Sequence, residues 1–355
     1  MTELSHFKKR SLDLLRERGE GPRIYPIAIT DLIGGPIAKR CPICQERNVY
    51  RISEVDLISD PAIKFFSTAV CPYCLYVFRP ISPSYLWFKK CWDIIAEEDP
   101  KIFNPAMEKF RESRYGEYVK ILNKYVRGNT VLDIGAGYGT GTEVLRRAGF
   151  SATAMEPEKN RVRFMRNTYD FRVLDKSIEE WIPGSASWDV VVYAQCLEHA
   201  DDPVFALLSL RDMLKPNGIA YVEIPLIWGI VDWSDSLFLA HKSNFTRENF
   251  SYFVRSIGFD ILESAEFRNG PKEPLDFGLI LRAADRRDDI KVPDGKRDDI
   301  GAICSLYRKG LPEDCRGPLD QVIHYIVPHI EQFYYTMRLD QVKFSVEGEY
   351  VRLER

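Results

Sequence analysis

No apolar stretch in this chain approaches the roughly 18–20 residues that a membrane-spanning helix needs, so no span is expected. An excess of one charge is also missing: 49 Lys and Arg stand against 52 Asp and Glu, a formal net charge of −3. That balance excludes a global cationic field for attracting nucleic acid. The first twenty residues, MTELSHFKKRSLDLLRERGE, lack the apolar core of an export signal and read as an amphipathic helix, so the cytoplasm is the expected compartment. What remains, 355 residues with 45% hydrophobic and 28% charged, is the composition of an ordinary soluble protein with room for two or more folding units.

Of eight cysteines, four form two C-x-x-C pairs, Cys41/Cys44 and Cys71/Cys74, with 26 residues between them. In a chain without an export signal such pairs read as metal ligands rather than disulfides. A two-residue gap lets both thiolates of a tight knuckle meet one tetrahedral ion, and the segment between reads as short strands. The expectation is a structural zinc held in a ribbon. One C-x-x-C beside a βαβ unit would suit a thioredoxin-like redox site; two matched knuckles suit it poorly, although redox and iron–sulfur chemistry stay as alternatives.

Residues 130–142, TVLDIGAGYGTGT, are the stretch around which the rest is organised. Three β-formers end in Asp133, and Gly135, Gly137 and Gly139 then recur at every second position. Such glycines let the backbone adopt positive φ and let a ligand lie on the main chain. A dinucleotide fingerprint needs G-x-G-x-x-G. Counted from Gly135 or from Gly137, the third glycine would fall on Thr140 or Thr142, which removes nicotinamide oxidoreductases from consideration. The order present, an acid followed by G-x-G-x-G, resembles the first motif of class I S-adenosylmethionine-dependent methyltransferases. That resemblance implies a loop holding the amino-acid end of the cofactor, with the acid near its ammonium group.

Downstream, strand and helix patterns alternate, which predicts a parallel α/β sheet. SATAMEPEK reads as a second strand ending in Glu156, 23 positions beyond Asp133, where a doubly wound fold places a carboxylate on ribose hydroxyls. FRVL reads as a third strand, followed by Asp175, Lys176 and Ser177, where an acid and the following amides can read an adenine edge. Asp175 can equally cap the helix that SIEEW suggests. A fourth strand over Val190 to Ala194 delivers Gln195 to His199 at its C-terminal end, where open sheets bind ligands, and Gln195 joins the cofactor residues. A helix, a turn over residues 215–218 and a fifth strand follow. The elements L-E-H-x-x-D-P and L-K-P-x-G resemble the same family, across about 128–284. The resemblance implies a Rossmann-like seven-stranded methyltransferase sheet closed by an antiparallel hairpin.

The organisation expected is an N-terminal helix and loop over 1–40, a zinc-ribbon module over 41–83, and a helical connector over 84–127. A methyltransferase domain over 128–284 and a C-terminal extension over 285–355 complete it. The connector either covers the cofactor cleft or packs on the sheet. The extension is expected to hold an interrupted helix and a terminal hairpin turning at Gly348, packed against the catalytic domain, with a dimerisation arm or substrate lid as alternatives.

The resemblance implies methyl transfer by in-line displacement, driven by holding two reactants aligned in a water-poor cleft. For a hydroxyl or acidic carbon as acceptor a general base is needed, and His199 and His241 are the candidates. Equally, His199 can serve only to orient its loop. Tyr193 and Glu223 are further pocket candidates. Cysteine knuckles paired with this domain look like bacterial enzymes that methylate sugars or other small metabolites, including deoxysugar C-methyltransferases, so a small-molecule acceptor is expected. Two rivals stand beside it. An RNA methyltransferase would need a basic ribbon, yet Glu46, Glu54, Asp56 and Asp60 offset its arginines and lysine. A non-catalytic cofactor-binding scaffold would tolerate loss of the acids and glycines that are intact here.

Overall fold

The computed structural model describes residues 40–47, 49–57, 64–81, 105–184, 187–229, 241–268, 275–285, 290–293, 302–303, 343–347 and 350–354. The expected N-terminal helix, Cys91 and the helix interrupted by Pro328 lie outside them.

In chain order the first three strands are β1 (Tyr50–Leu57), β2 (Lys64–Val70) and β3 (Val77–Ile81). Helix α1 (Pro105–Leu122) leads into β4 (Thr130–Ile134), α2 (Thr140–Arg147), β5 (Ser151–Glu156), α3 (Lys159–Thr168) and β6 (Arg172–Asp175). Then come β7 (Trp188–Ala194), α4 (Pro203–Met213), β8 (Leu214–Pro225), β9 (Ser243–Asn244) and α5 (Arg247–Ile257). Strands β10 (Phe259–Arg268), β11 (Leu275–Ala283), β12 (Lys343–Glu347) and β13 (Tyr350–Glu354) complete the set.

Seven strands form one mixed sheet in the order β10-β11-β8-β7-β4-β5-β6. The five from β4 to β8 run parallel, and β11 is antiparallel to both β8 and β10. This is the seven-stranded methyltransferase architecture. Its central strands are covered on both faces, which is why Val131, Leu132 and Val190 to Val192 form near-continuous apolar runs and are all fully buried. Burying each such side chain contributes about 1.5–3 kcal/mol. One face packs against α4 and α5 through Leu207, Leu210, Phe250 and Phe253; the other packs against α1 and α2 through Tyr118, Leu122 and Leu145.

Two local expectations need correction. Residues 215–218 are not a free turn before the fifth strand. The β7–β8 register jumps from Trp188↔Leu214 to Val190↔Ile219, so they bulge within β8, with Asn217 at φ 64°. Asparagine tolerates that left-handed conformation at low cost. At SIEEW the chain forms only a short 3₁₀ turn over Ile178–Glu180, and its cap is Ser177 rather than Asp175, through a reciprocal box with Glu180.

A second sheet, β12-β13-β1-β2-β3-β9, is assembled from three separate stretches of chain. Strand β13 pairs in parallel with β1, and β9 pairs antiparallel with β3 through Val77↔Asn244 and Phe78↔Ser243. The terminal hairpin therefore joins the sheet that follows the first cysteine knuckle, where packing against the catalytic domain was expected.

Candidate active site

A cavity of about 640 Å³ opens at the C-terminal ends of the parallel strands. That edge is where open α/β sheets bind ligands, because crossovers leave the loops there free to diverge. Gly135 and Gly137, between β4 and α2, form part of its wall. Gly137 has φ 59°, and a Cβ built on it would meet nothing nearer than the Arg111 guanidinium at 3.8 Å. Gly139 is different. Its φ is 82°, but a Cβ there would strike Met165 and Phe171 at 2.8 to 3.0 Å, and it does not line the cavity. The middle glycine thus keeps backbone accessible to a ligand, while the last lets α3 and the chain beyond it close in.

Glu156, at the end of β5, reaches under this loop and accepts from the backbone N–H of Gly137 at 2.8 Å and of Glu158 at 3.1 Å. It lines the cavity, and burial raises its carboxyl above the ordinary range. Asp133 lies deeper. It is fully buried, accepts from Tyr115 at 2.8 Å and Thr142 at 2.6 Å, and is absent from the cavity wall. Burial pushes it up to about 6 although both hydrogen bonds pull the other way. Asp175 is exposed and away from the cavity, whereas Lys176 and Ser177 line it. The Ser177 amide already donates to Glu180 at 3.0 Å, so it is committed to the cap.

The other end of the cavity is built from β7, β8 and the start of β11. Gln195 leaves β7 at φ 55°; its backbone N–H donates to the Glu223 carbonyl and its side chain to the Glu223 carboxylate at 3.2 Å. Glu223 also accepts from Tyr118 at 2.6 Å, Tyr221 at 2.5 Å and Arg114 at 3.4 Å. Arg114 pairs with Asp276 as well, at 3.2 Å, yet burial and the nearby Glu223 outweigh it and push Asp276 up to about 6. Beside this cluster stand His199 and His241, edge to face with centroids 4.8 Å apart, both on the cavity wall. Glu198 sits behind them, 1% exposed, pushed up to about 8 by burial. Tyr193 lines the same region, its hydroxyl on the Cys196 carbonyl at 3.3 Å.

Residues 107–264 match the family model described as a methyltransferase domain. Residues 107–264 are a class I methyltransferase domain. Among curated relatives, the ubiquinone biosynthesis O-methyltransferase of Rhizobium leguminosarum bv. trifolii is 24% identical over 176 residues, covering 48% of this chain and 60% of its own length. That of Caulobacter vibrioides is 29% identical over 141 residues, 37% of this chain and 56% of its own. The chain thus spans under two thirds of the relatives it matches. Among solved structures, an S-adenosylmethionine-dependent methyltransferase from Clostridium acetobutylicum is 12% identical with a TM-score of 0.41, covering 57% of this chain and 99% of its own.

Within the methyltransferase domain, the wall residues that the sequence pattern left unnamed come mainly from α1: Met107, Phe110, Arg111, Arg114, Tyr115 and Tyr118. Their steps of three and four mark one helix face. Hydrophobic periodicity is weak along the helix, because Arg111 and Arg114 lie on this face and Glu108 is buried beside it. The helix both lines the cavity and packs on the sheet through Tyr118 and Leu122. Asp276, from β11, carried no local signal at all.

Outside the methyltransferase domain match, the two cysteine knuckles come together. The Cys41 and Cys74 sulfurs are 3.6 Å apart, those of Cys44 and Cys71 3.5 Å, and all four lie within 4.8 Å of one another. Four sulfurs each about 2.3 Å from one tetrahedral zinc stand roughly 3.8 Å apart, so the spacing suits that ion. The knuckles are built alike: Gln45 and Leu75, each following the second cysteine, take φ 63° and 59° and donate to the first cysteine's carbonyl at 2.9 Å. Hydrogen bonding among the sulfurs drives the Cys41 and Cys74 thiols up and those of Cys44 and Cys71 down. The second knuckle runs directly into β3, which carries β9 and hence the segment after His241.

Proposed function

We propose that this chain transfers a methyl group from S-adenosylmethionine to a hydroxyl oxygen of a small-molecule acceptor. The carrying observation is the pairing of Gly137 and Glu156 at one end of the cavity with the histidine and carboxylate cluster at the other. Gly137 leaves main chain accessible, and Glu156, with two backbone donors already on it, is oriented to accept from ribose hydroxyls. Lys176 and Ser177 border the same end. Asp133 acts through Tyr115 and Thr142, fixing α1 and α2 around the loop rather than meeting the cofactor directly. The names of the relatives support an oxygen acceptor.

When bound, the cofactor supplies a methyl carbon on a positively charged sulfur. Helix α1 lines one side of the cavity, and water displaced from the filled site would strengthen every charge interaction inside. Gln195 and Tyr193 border the route between the two ends, and Glu223 and Asp276 place negative charge where a cationic reactant crosses. His199 and His241 stand where an acceptor hydroxyl must lose its proton. The cysteine cluster holds a structural zinc in this reading, well suited to four thiolates and too enclosed for an open coordination position.

Calorimetry with the demethylated cofactor, followed by labelled-methyl turnover on hydroxylated small molecules, tests the proposal. Micromolar binding with label in an ether product is expected. No heat with either form of the cofactor would overturn it.

A further inference from the structure

We propose that Glu198, His199 and His241 form a divalent-cation site at the acceptor end of the cavity, separate from the cysteine cluster. The cation would fix and acidify the acceptor hydroxyl. Only that second role rests on the methyl-transfer reading; cation binding itself does not.

Three observations carry the site. One carboxylate oxygen and one nitrogen from each imidazole lie within 4.8 Å of one another. Donors held about 2.1 Å from a single ion stand roughly 3–4 Å apart, so a small closure of exposed rings completes the set. The Glu198 side chain is almost wholly buried, yet its Oε2 has no hydrogen-bond partner among the described residues. A buried carboxylate oxygen left unsatisfied costs about 1–3 kcal/mol or more, a cost that a cation would remove. Finally, the two segments carrying the donors are tied together: the Lys242 backbone N–H donates to the Glu198 carbonyl at 2.7 Å. That bond fixes the two loops across 43 residues of intervening sequence.

Two imidazoles and a carboxylate suit a first-row divalent ion such as manganese, iron(II), cobalt or zinc, where four thiolates favour zinc alone. Three protein ligands leave open positions, and both histidines face the cavity, so those positions face the acceptor. The substrate class that follows is an acceptor whose reacting hydroxyl has a second oxygen on a neighbouring carbon, able to occupy two positions at once. The hydroxyl proton leaves to water. The oxygen then bonds to the methyl carbon as the carbon–sulfur bond breaks, its electron pair returning to sulfur and leaving a neutral thioether.

Manganese titration of the full chain, followed by electron paramagnetic resonance, tests the site, with zinc content measured in the same samples. One saturable manganese site per chain is expected, weakened at least tenfold in His199→Asn and His241→Asn with zinc unchanged. Glu198→Gln keeps the shape of the acid and serves as a second variant should either histidine substitution lower the melting temperature. Absence of saturable manganese binding in the wild type, or equal affinity in the doubly substituted His199→Asn/His241→Asn chain, overturns the proposal. Calorimetry with the demethylated cofactor on the same samples separates this failure from failure of the methyl-transfer reading.

Discussion

The backbone N–H of Gly137 donates to the buried carboxylate of Glu156 across 2.8 Å, locking the glycine turn after β4 to the end of β5. The turn's geometry is therefore set before any ligand arrives. Gly137→Val should abolish measurable cofactor binding. A β-branched residue at φ 59° costs at least about 1–2 kcal/mol, and its methyl groups would fill the cavity where the main chain must be reached. Calorimetry should show at least a tenfold loss, with zinc content unchanged; normal affinity would count heavily against the loop as the cofactor cradle.

Asp133 makes stability depend on pH in a predictable direction. Its folded value is raised to about 6 from the ordinary 3.8. The folded state therefore holds the proton more tightly, a contribution fully present below pH 3.8 and lost as pH rises through 6. Between pH 5 and 7.5 the wild type should lose roughly 1–1.5 kcal/mol of unfolding free energy relative to Asp133→Asn. Urea titrations at the two pH values measure the difference, and parallel curves would contradict it.

Cys71→Ser removes one of the four thiols proposed to hold zinc and interrupts the knuckle from which β3 begins. Zinc per chain should fall well below that of the wild type, and the melting temperature should drop before cofactor affinity changes. Elemental analysis and a thermal melt are sufficient. Wild-type zinc content in the variant would remove the cluster from consideration as a metal site.

Arg114 is buried between Glu223 and Asp276, so Arg114→Met would leave two acids near each other without their cation. Removing one partner of a buried pair costs about 3–5 kcal/mol. Because Asp276 is already raised to about 6, the loss should shrink as pH falls through that value and the carboxyl takes up a proton. Chemical denaturation at pH 7.5 and 5.5 should show the larger deficit at the higher pH.

Tyr76 and Ser243 share a buried hydroxyl–hydroxyl hydrogen bond linking the end of the second cysteine knuckle to β9. Ser243→Ala leaves the tyrosine hydroxyl unsatisfied and should cost about 1–3 kcal/mol, while adding Tyr76→Phe should restore much of it. Thermal melts of the single and double variants decide this. If the double variant is the weaker, the bond is not what holds β9 against the knuckle and β3.

The sequence by itself determined the alternation of strand and helix, the glycine turn with its acids, and the cysteine spacing, because each is a local matter of periodicity, φ preference or ligand gap. It could not determine which acid meets the cavity. Asp133 and Glu156 both end strands, yet packing of Tyr115 and Thr142 seals the first while the second stays on the wall. Nor could it bring His241 to His199, place Arg114 between two acids, or pair β9 with β3. Those contacts join residues tens to more than a hundred positions apart. They exist only because a twisted sheet covered on both faces leaves one arrangement in which the apolar surfaces close and the buried charges find partners.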